Sequence, residues 1–270
     1  MRILILAMLV ALGASPAVAA SIAPHRAIYD LSLLRVSQGA SLSSVEGRLA
    51  FEIQGSRCEG WTTSFRMANR FGPSEGDVRT VDTQSTSFES GDSLDLRYNQ
   101  KEFINGGQQS ETRIKVSRDA PEAEGKGEQG ADGSSPFTVP GGAMFPMQHQ
   151  LKLMDMAAAG ESRDSSLIYD GSDGAKLFRA ITFIGKRKEP GTNQRDVSNP
   201  EASILSGLPA WPVSISYYPA TEGEGDTPEY QVSFDLYENG VATGLVLDYG
   251  QFALSGNLRK LETLGGEACN

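Results

Sequence analysis

Only two imidazoles, His25 and His149, occur among the 270 residues. His149 falls in the first turn of a segment with helical periodicity, where the positive end of a helix dipole lowers an imidazole pKa. A neutral imidazole there suits a general base beside a nucleophilic serine, and a hydrolase using His149 is one reading of it. No G-x-S-x-G elbow supplies the serine. The reading the sequence favours is a polar residue that fixes the helix against a sheet. His25 sits at the start of the mature chain and reads as a surface or strand-edge residue. Asp170-Gly171-Ser172-Asp173-Gly174 has the look of a calcium loop. An EF-hand needs oxygen ligands at positions one, three and five and glycine at six, whereas here Gly174 falls at five and Ala175 at six. A tight turn between strands accounts for it. There is no P-loop, GxGxxG, HExxH or Cys/His cluster. The sequence therefore assigns no catalytic residue, no metal ligand and no cofactor.

The remaining chemistry is that of two cysteines, Cys58 and Cys269, whose spacing fits neither a metal site nor a CxxC redox motif. Their state depends on the compartment. Residues 1–19 start with Met1-Arg2 and continue as an apolar run over 3–14. Ser15-Pro16 breaks it, and Ala17-Val18-Ala19 follows. These are the parts of a cleavable secretory signal peptide. The run of about twelve residues is too short for a bilayer core of roughly 30 Å, which is the argument against a membrane anchor. The expectation is export to the periplasm with cleavage after Ala19. In that oxidising compartment Cys58 and Cys269 can pair, the alternative being two buried free thiols. A bridge would close a loop of about 210 residues, for which chain entropy predicts a contribution on the order of 5 kcal/mol.

Arg2 is the only charged residue in 1–19, so Lys+Arg falls from 24 to 23 against 34 Asp+Glu, and the exported chain carries about −11. Nucleic acid rewards clustered Lys and Arg, and anionic membrane surfaces do the same, so neither is an expected partner. About 250 residues suffice for one domain with a sizeable core. The 30 glycines and 13 prolines suit many turns rather than long helices.

Period-two alternation dominates the pattern, which is the signature of strands with one face toward a core. Tyr29, Leu31 and Leu33 share a face; so do Leu49, Phe51 and Ile53, and then Trp61, Thr63, Phe65 and Met67. Further strands are expected over 78–88, 94–98, 112–116, 166–169, 176–186, 213–218, 229–238, 241–249, 252–254 and 257–264. Close spacing with Gly, Asn or Ser between them reads as an antiparallel meander in one mainly β domain over 20–270. The 176–186 strand is apolar on both faces and is expected to be central. Asn239-Gly240 is a hairpin turn. Residues 120–135 hold no large apolar side chain and are expected as a mobile acidic loop. Over 146–159, Met147, Leu151, Met154 and Ala158 recur at helical spacing between Pro146 and Gly160, which predicts the one main α-helix.

Several stretches taken in order resemble a known family. They are His25-Arg26-Ala27-Ile28-Tyr29-Asp30-Leu31, Cys58-Glu59-Gly60-Trp61, Phe145-Pro146-Met147-Gln148-His149, Tyr169-Asp170-Gly171-Ser172-Asp173, Trp211-Pro212-Val213, Phe234-Asp235-Leu236-Tyr237-Glu238-Asn239-Gly240 and Asp248-Tyr249-Gly250. Together with the cysteine positions they are similar to the envelope integrity protein B (EipB) family of Gram-negative bacteria. The resemblance implies a periplasmic antiparallel β-spiral, a half-open barrel-like sheet with one helix and a disulfide, similar in outline to LolA- and LolB-type carriers. It also implies a role in envelope integrity under stress, with no accepted catalytic residues. A concave β face can hold an acyl chain or a hydrophobic segment. Met144, Phe145 and Met147, with His149, are the candidate contacts for an apolar ligand or a partner protein, because adaptable methionines beside an aromatic suit such a site. The competing reading places them in the core. A structural scaffold docking to another envelope protein through exposed strand edges is the third function considered.

Overall fold

The computed structural model describes residues 21–130, 135–192, 200–220 and 227–266. The signal peptide expected over 1–19, and Cys269, lie outside them. Eight strands run in chain order: β1 (His25–Val36), β2 (Leu42–Ser56), β3 (Gly60–Pro73), β4 (Arg79–Glu89), β5 (Asp95–Ile104), β6 (Gly107–Ser117), β7 (Gly125–Gln129) and β8 (Ser135–Val139). The helix α1 (Pro146–Ala159) follows. Then come β9 (Arg163–Ile168), β10 (Phe178–Ile184), β11 (Ala210–Pro219), β12 (Tyr230–Tyr237), β13 (Ala242–Asp248) and β14 (Phe252–Thr263).

All fourteen strands form a single antiparallel sheet in the order β8-β7-β6-β5-β4-β3-β2-β1-β14-β13-β12-β11-β10-β9. Each half is a meander of neighbours joined by short turns, as the strand spacing predicts. The halves meet where β1 pairs with β14, from His25↔Thr263 to Val36↔Phe252. Early and late strands thus share the middle of the sheet, and β8 and β9 are its two ends. The curled sheet brings those ends together. The segment after β8 lies along β9, with the Met144 N–H on the Leu167 carbonyl at 2.8 Å and the Tyr169 N–H on the Met144 carbonyl at 2.9 Å. Phe137 of β8 also meets the Tyr169 ring, 5.7 Å between centroids.

The helix occupies the concave side. Met147, Leu151, Leu153, Met154 and Met156 are buried against Ile53, Trp61, Ile184, Trp211, Val213 and Leu236, which come from both halves of the sheet. Its apolar residues surround most of its circumference, as burial on more than one side requires. Gly160 ends it in the left-handed conformation at φ 77°, which a glycine adopts without steric cost.

Two expectations are corrected. The 120–135 stretch is not simply a mobile loop, since β7 runs through it and pairs with both β6 and β8. It holds no large apolar side chain of its own, but its neighbours supply the apolar cover. The Phe137 ring lies so closely over Gly127 that a Cβ there would sit 2.3 Å from it. An aromatic laid across a strand glycine stabilises a strand that composition alone disfavours. Second, β10 is not central but next to last, and it buries one face only: Phe178, Ala180, Thr182 and Ile184 are buried while Phe183 is exposed.

Candidate functional site

The helix start is held by groups distant in sequence. Phe145 occupies the N-cap position and provides no capping side chain. Glu89, at the end of β4, does so instead. Its Oε2 accepts the Met147 N–H at 2.8 Å and its Oε1 the Gln148 N–H at 2.9 Å. Burial pushes this carboxyl up to about 7, against the pull of the two N–H groups and of Arg118. Arg118, just after β6, donates to the Ser93 carbonyl at 2.8 Å, the Ala143 carbonyl at 2.7 Å and Gln148 Oε1 at 3.1 Å. Its guanidinium lies 4.2 Å from the Phe145 ring centroid. These bonds fix the orientation of α1 inside the sheet.

Between α1 and the concave wall lies a cavity of about 420 Å³, within the size range of small-molecule sites. Pro146, His149, Gln150 and Leu153 of the helix form one side. Phe51 and Phe65 come from β2 and β3, Ile215 and Tyr217 from β11, Val232, Phe234 and Leu236 from β12, and Leu245 and Leu247 from β13. The pairing explains why they converge. Ile215 pairs with Val232, and Val232 with Leu247, so one row of apolar side chains crosses three strands.

The polar lining is sparse. His149 is buried, its Nε2 lies 3.4 Å from Asp164 Oδ2, and that atom has no hydrogen-bond partner among the described residues. That distance is long for a hydrogen bond, and burial lowers the imidazole pKa despite the carboxylate. The ring is thus neutral near pH 7. Asp164 instead accepts Lys152 Nζ at 2.5 Å and Ser166 Oγ at 2.7 Å. Ser166 therefore bonds the carboxylate and the lysine, not His149. His25, expected at the surface or a strand edge, is instead buried and paired on both sides, its Nδ1 2.7 Å from the Ala23 carbonyl, and burial lowers its pKa too. Asp170 reaches the cavity from the turn after β9. Its Oδ1 accepts the Ser172 N–H at 2.9 Å and the Ser172 hydroxyl at 2.8 Å, and burial raises its pKa.

The four expected contact residues separate. His149 lines the cavity. Met144 bridges to β9, Phe145 is fully buried beneath Arg118 in a cluster with Leu96, Ile114 and Tyr169, and Met147 packs in the main core. Side chains around a helix start face several directions, so adjacency in sequence does not make a common surface. The residues that line the cavity alternate along β11–β13. Their period-two pattern is visible in the sequence, but which face is concave is set by the curl of the whole sheet. Glu89 and Arg118 carry no local signal that links them to the helix.

A curled antiparallel sheet closed on a helix, with an apolar internal cavity, defines a barrel-like fold. Residues 16–265 match the EipB-like family. The cell envelope integrity protein EipB of Brucella abortus (strain 2308) is 34% identical over 255 residues, 93% of this chain and 87% of that protein. The crystal structure of a beta-barrel-like protein of a domain of unknown function from Brucella abortus superposes with a TM-score of 0.83 at 30% identity, covering 92% of this chain and 100% of that one. The chain belongs to the EipB-like family.

Proposed function

We propose that the protein maintains cell envelope integrity from the periplasm, holding an apolar, lipid-like ligand in the cavity under α1 without acting on it chemically. The observation that carries this reading is the cavity itself, walled by Ile215, Val232, Phe234, Leu245 and Leu247. The name of the Brucella relative supports the envelope role. Among the described residues His149 has no bonded serine to activate, which counts against the hydrolase reading. The scaffold reading loses one of its two sheet ends, because Met144 already occupies the outer side of β9. Among the described residues no helix is long and apolar enough to cross a membrane. The disulfide between Cys58 and Cys269 belongs to the same proposal. Ile53 and Thr263 both pair with His25, so the end of β2 before the Cys58 turn and the end of β14 flank the start of β1 on its two edges.

The test compares natively purified and delipidated protein. Mass spectrometry of the native preparation should detect a co-purifying lipid or acylated molecule, and the delipidated protein should bind an apolar fluorescent probe that Ile215→Asp abolishes. No extracted lipid together with no probe binding would overturn the reading.

A further inference from the structure

The head group that the cavity accepts is written in its charges. Among the described residues the lining holds no Lys or Arg. Both of its histidines are driven toward the neutral form by burial. The one carboxyl is Asp170, and among the described residues its Oδ2 has no hydrogen-bond partner, Ser172 occupying only Oδ1. Asp170 is half-buried and lines the cavity. Beside it on that wall is Tyr217, stacked on Tyr230 at 4.5 Å, with Phe178 edge-on to both rings. An anionic head group would meet an uncompensated carboxyl here and no cation, at a large desolvation cost. A carboxylate with an open oxygen beside aromatic rings is the complement of an ammonium group, which gains both charge pairing and attraction to the ring faces.

We propose that the cavity selects amphiphiles with a cationic amine head, whose ammonium sits between Asp170 and Tyr217 while the aliphatic chain lies along Ile215, Val232 and Phe234. This rests on the lipid-like ligand reading and names its head group. The approach of a cation also stabilises the ionised form of Asp170, which burial otherwise disfavours.

Full-chain delipidated protein, loaded with N-phenylnaphthylamine at neutral pH, would be titrated with dodecylamine, dodecanol and dodecanoate below their micelle concentrations. Dodecylamine should displace the probe about tenfold more tightly than dodecanoate, with dodecanol between them, a tenfold ratio corresponding to ~1.4 kcal/mol. Asp170→Asn keeps an acceptor for Ser172 and should erase the preference for the amine while leaving dodecanol unchanged. Equal binding of all three, or tighter binding of dodecanoate, would overturn the head-group assignment and leave the apolar cavity reading standing. An amine preference that survives Asp170→Asn would also overturn it. If neither probe nor amphiphile binds, the ligand reading fails as well. The wild-type comparison decides the matter even where the variant does not fold.

Discussion

The two concave walls of the sheet differ in kind. On β11–β13 the inward residues are apolar, running Ile215, Val232, Leu247 across one row and Val213, Phe234 across the next. On β3–β6 the corresponding rows are Phe65, Ser85, Gln100, Thr112 and Met67, Thr83, Glu102, Ser110. Hydroxyls there bond one another, as Thr63 and Ser87 do at 2.6 Å. Among the described residues, the cavity takes eight lining residues from β11–β13 and one from β3, and none from β4 or β5. One continuous sheet thus builds a dry wall and a wet wall. The position of the helix decides which is which, and Glu89 and Arg118, from the wet half, hold the helix over the dry one.

That contrast can be attacked from several sides. Leu236→Ala, in the dry wall, should cost about 2–5 kcal/mol in urea unfolding, since it removes transfer energy and leaves an enlarged void. Glu89 provides a pH test. A carboxyl whose folded pKa is raised to about 7 from 4.5 stabilises the fold most at low pH, and that contribution is lost as pH rises through this window. Wild-type stability should therefore fall by roughly 3 kcal/mol across it relative to Glu89→Gln, which lacks the titration. A parallel pH profile for the two proteins would contradict the assignment. Gly127→Ala forces a Cβ into the Phe137 ring, and overpacking of this kind should cost about 1–3 kcal/mol, read as a lower thermal midpoint. The smallest effect belongs to the wet wall. Thr83→Ala and Ser85→Ala should each change stability by no more than about 0.5 kcal/mol and leave probe binding intact.

Much of the architecture was legible because most strands keep strict alternation and the helix carries both its terminators. The bounds 146–159 follow from Pro146 and Gly160 alone, and match α1. Where alternation fails, so does the reading. The stretches 252–254 and 257–264 read as two strands but form one, β14, because a bulge lets both Leu258 and Leu261 face inward. The register passes from Ala27↔Leu261 to Tyr29↔Leu258 with Arg259 left out. Similarly, β7 depends on Phe137 from its neighbour, a contact that no window over 120–135 contains. The site was less legible than the fold. His149 was marked for its rarity, whereas Asp170 looked like a turn residue, and it is one: Oδ1 makes the turn while Oδ2 is left for the cavity.

The seam between β1 and β14 also has a temporal meaning. Arg26 and Glu262, 236 residues apart, bond across it. Contacts of such separation are slow to form, since the loop entropy must be spent before they contribute. As the chain emerges, β1 can pair with β2 at once, yet its other edge stays open until the last strand arrives. An open edge of that length is a template for wrong partners. The order of synthesis thus makes the middle of the finished sheet the last part of it to become safe.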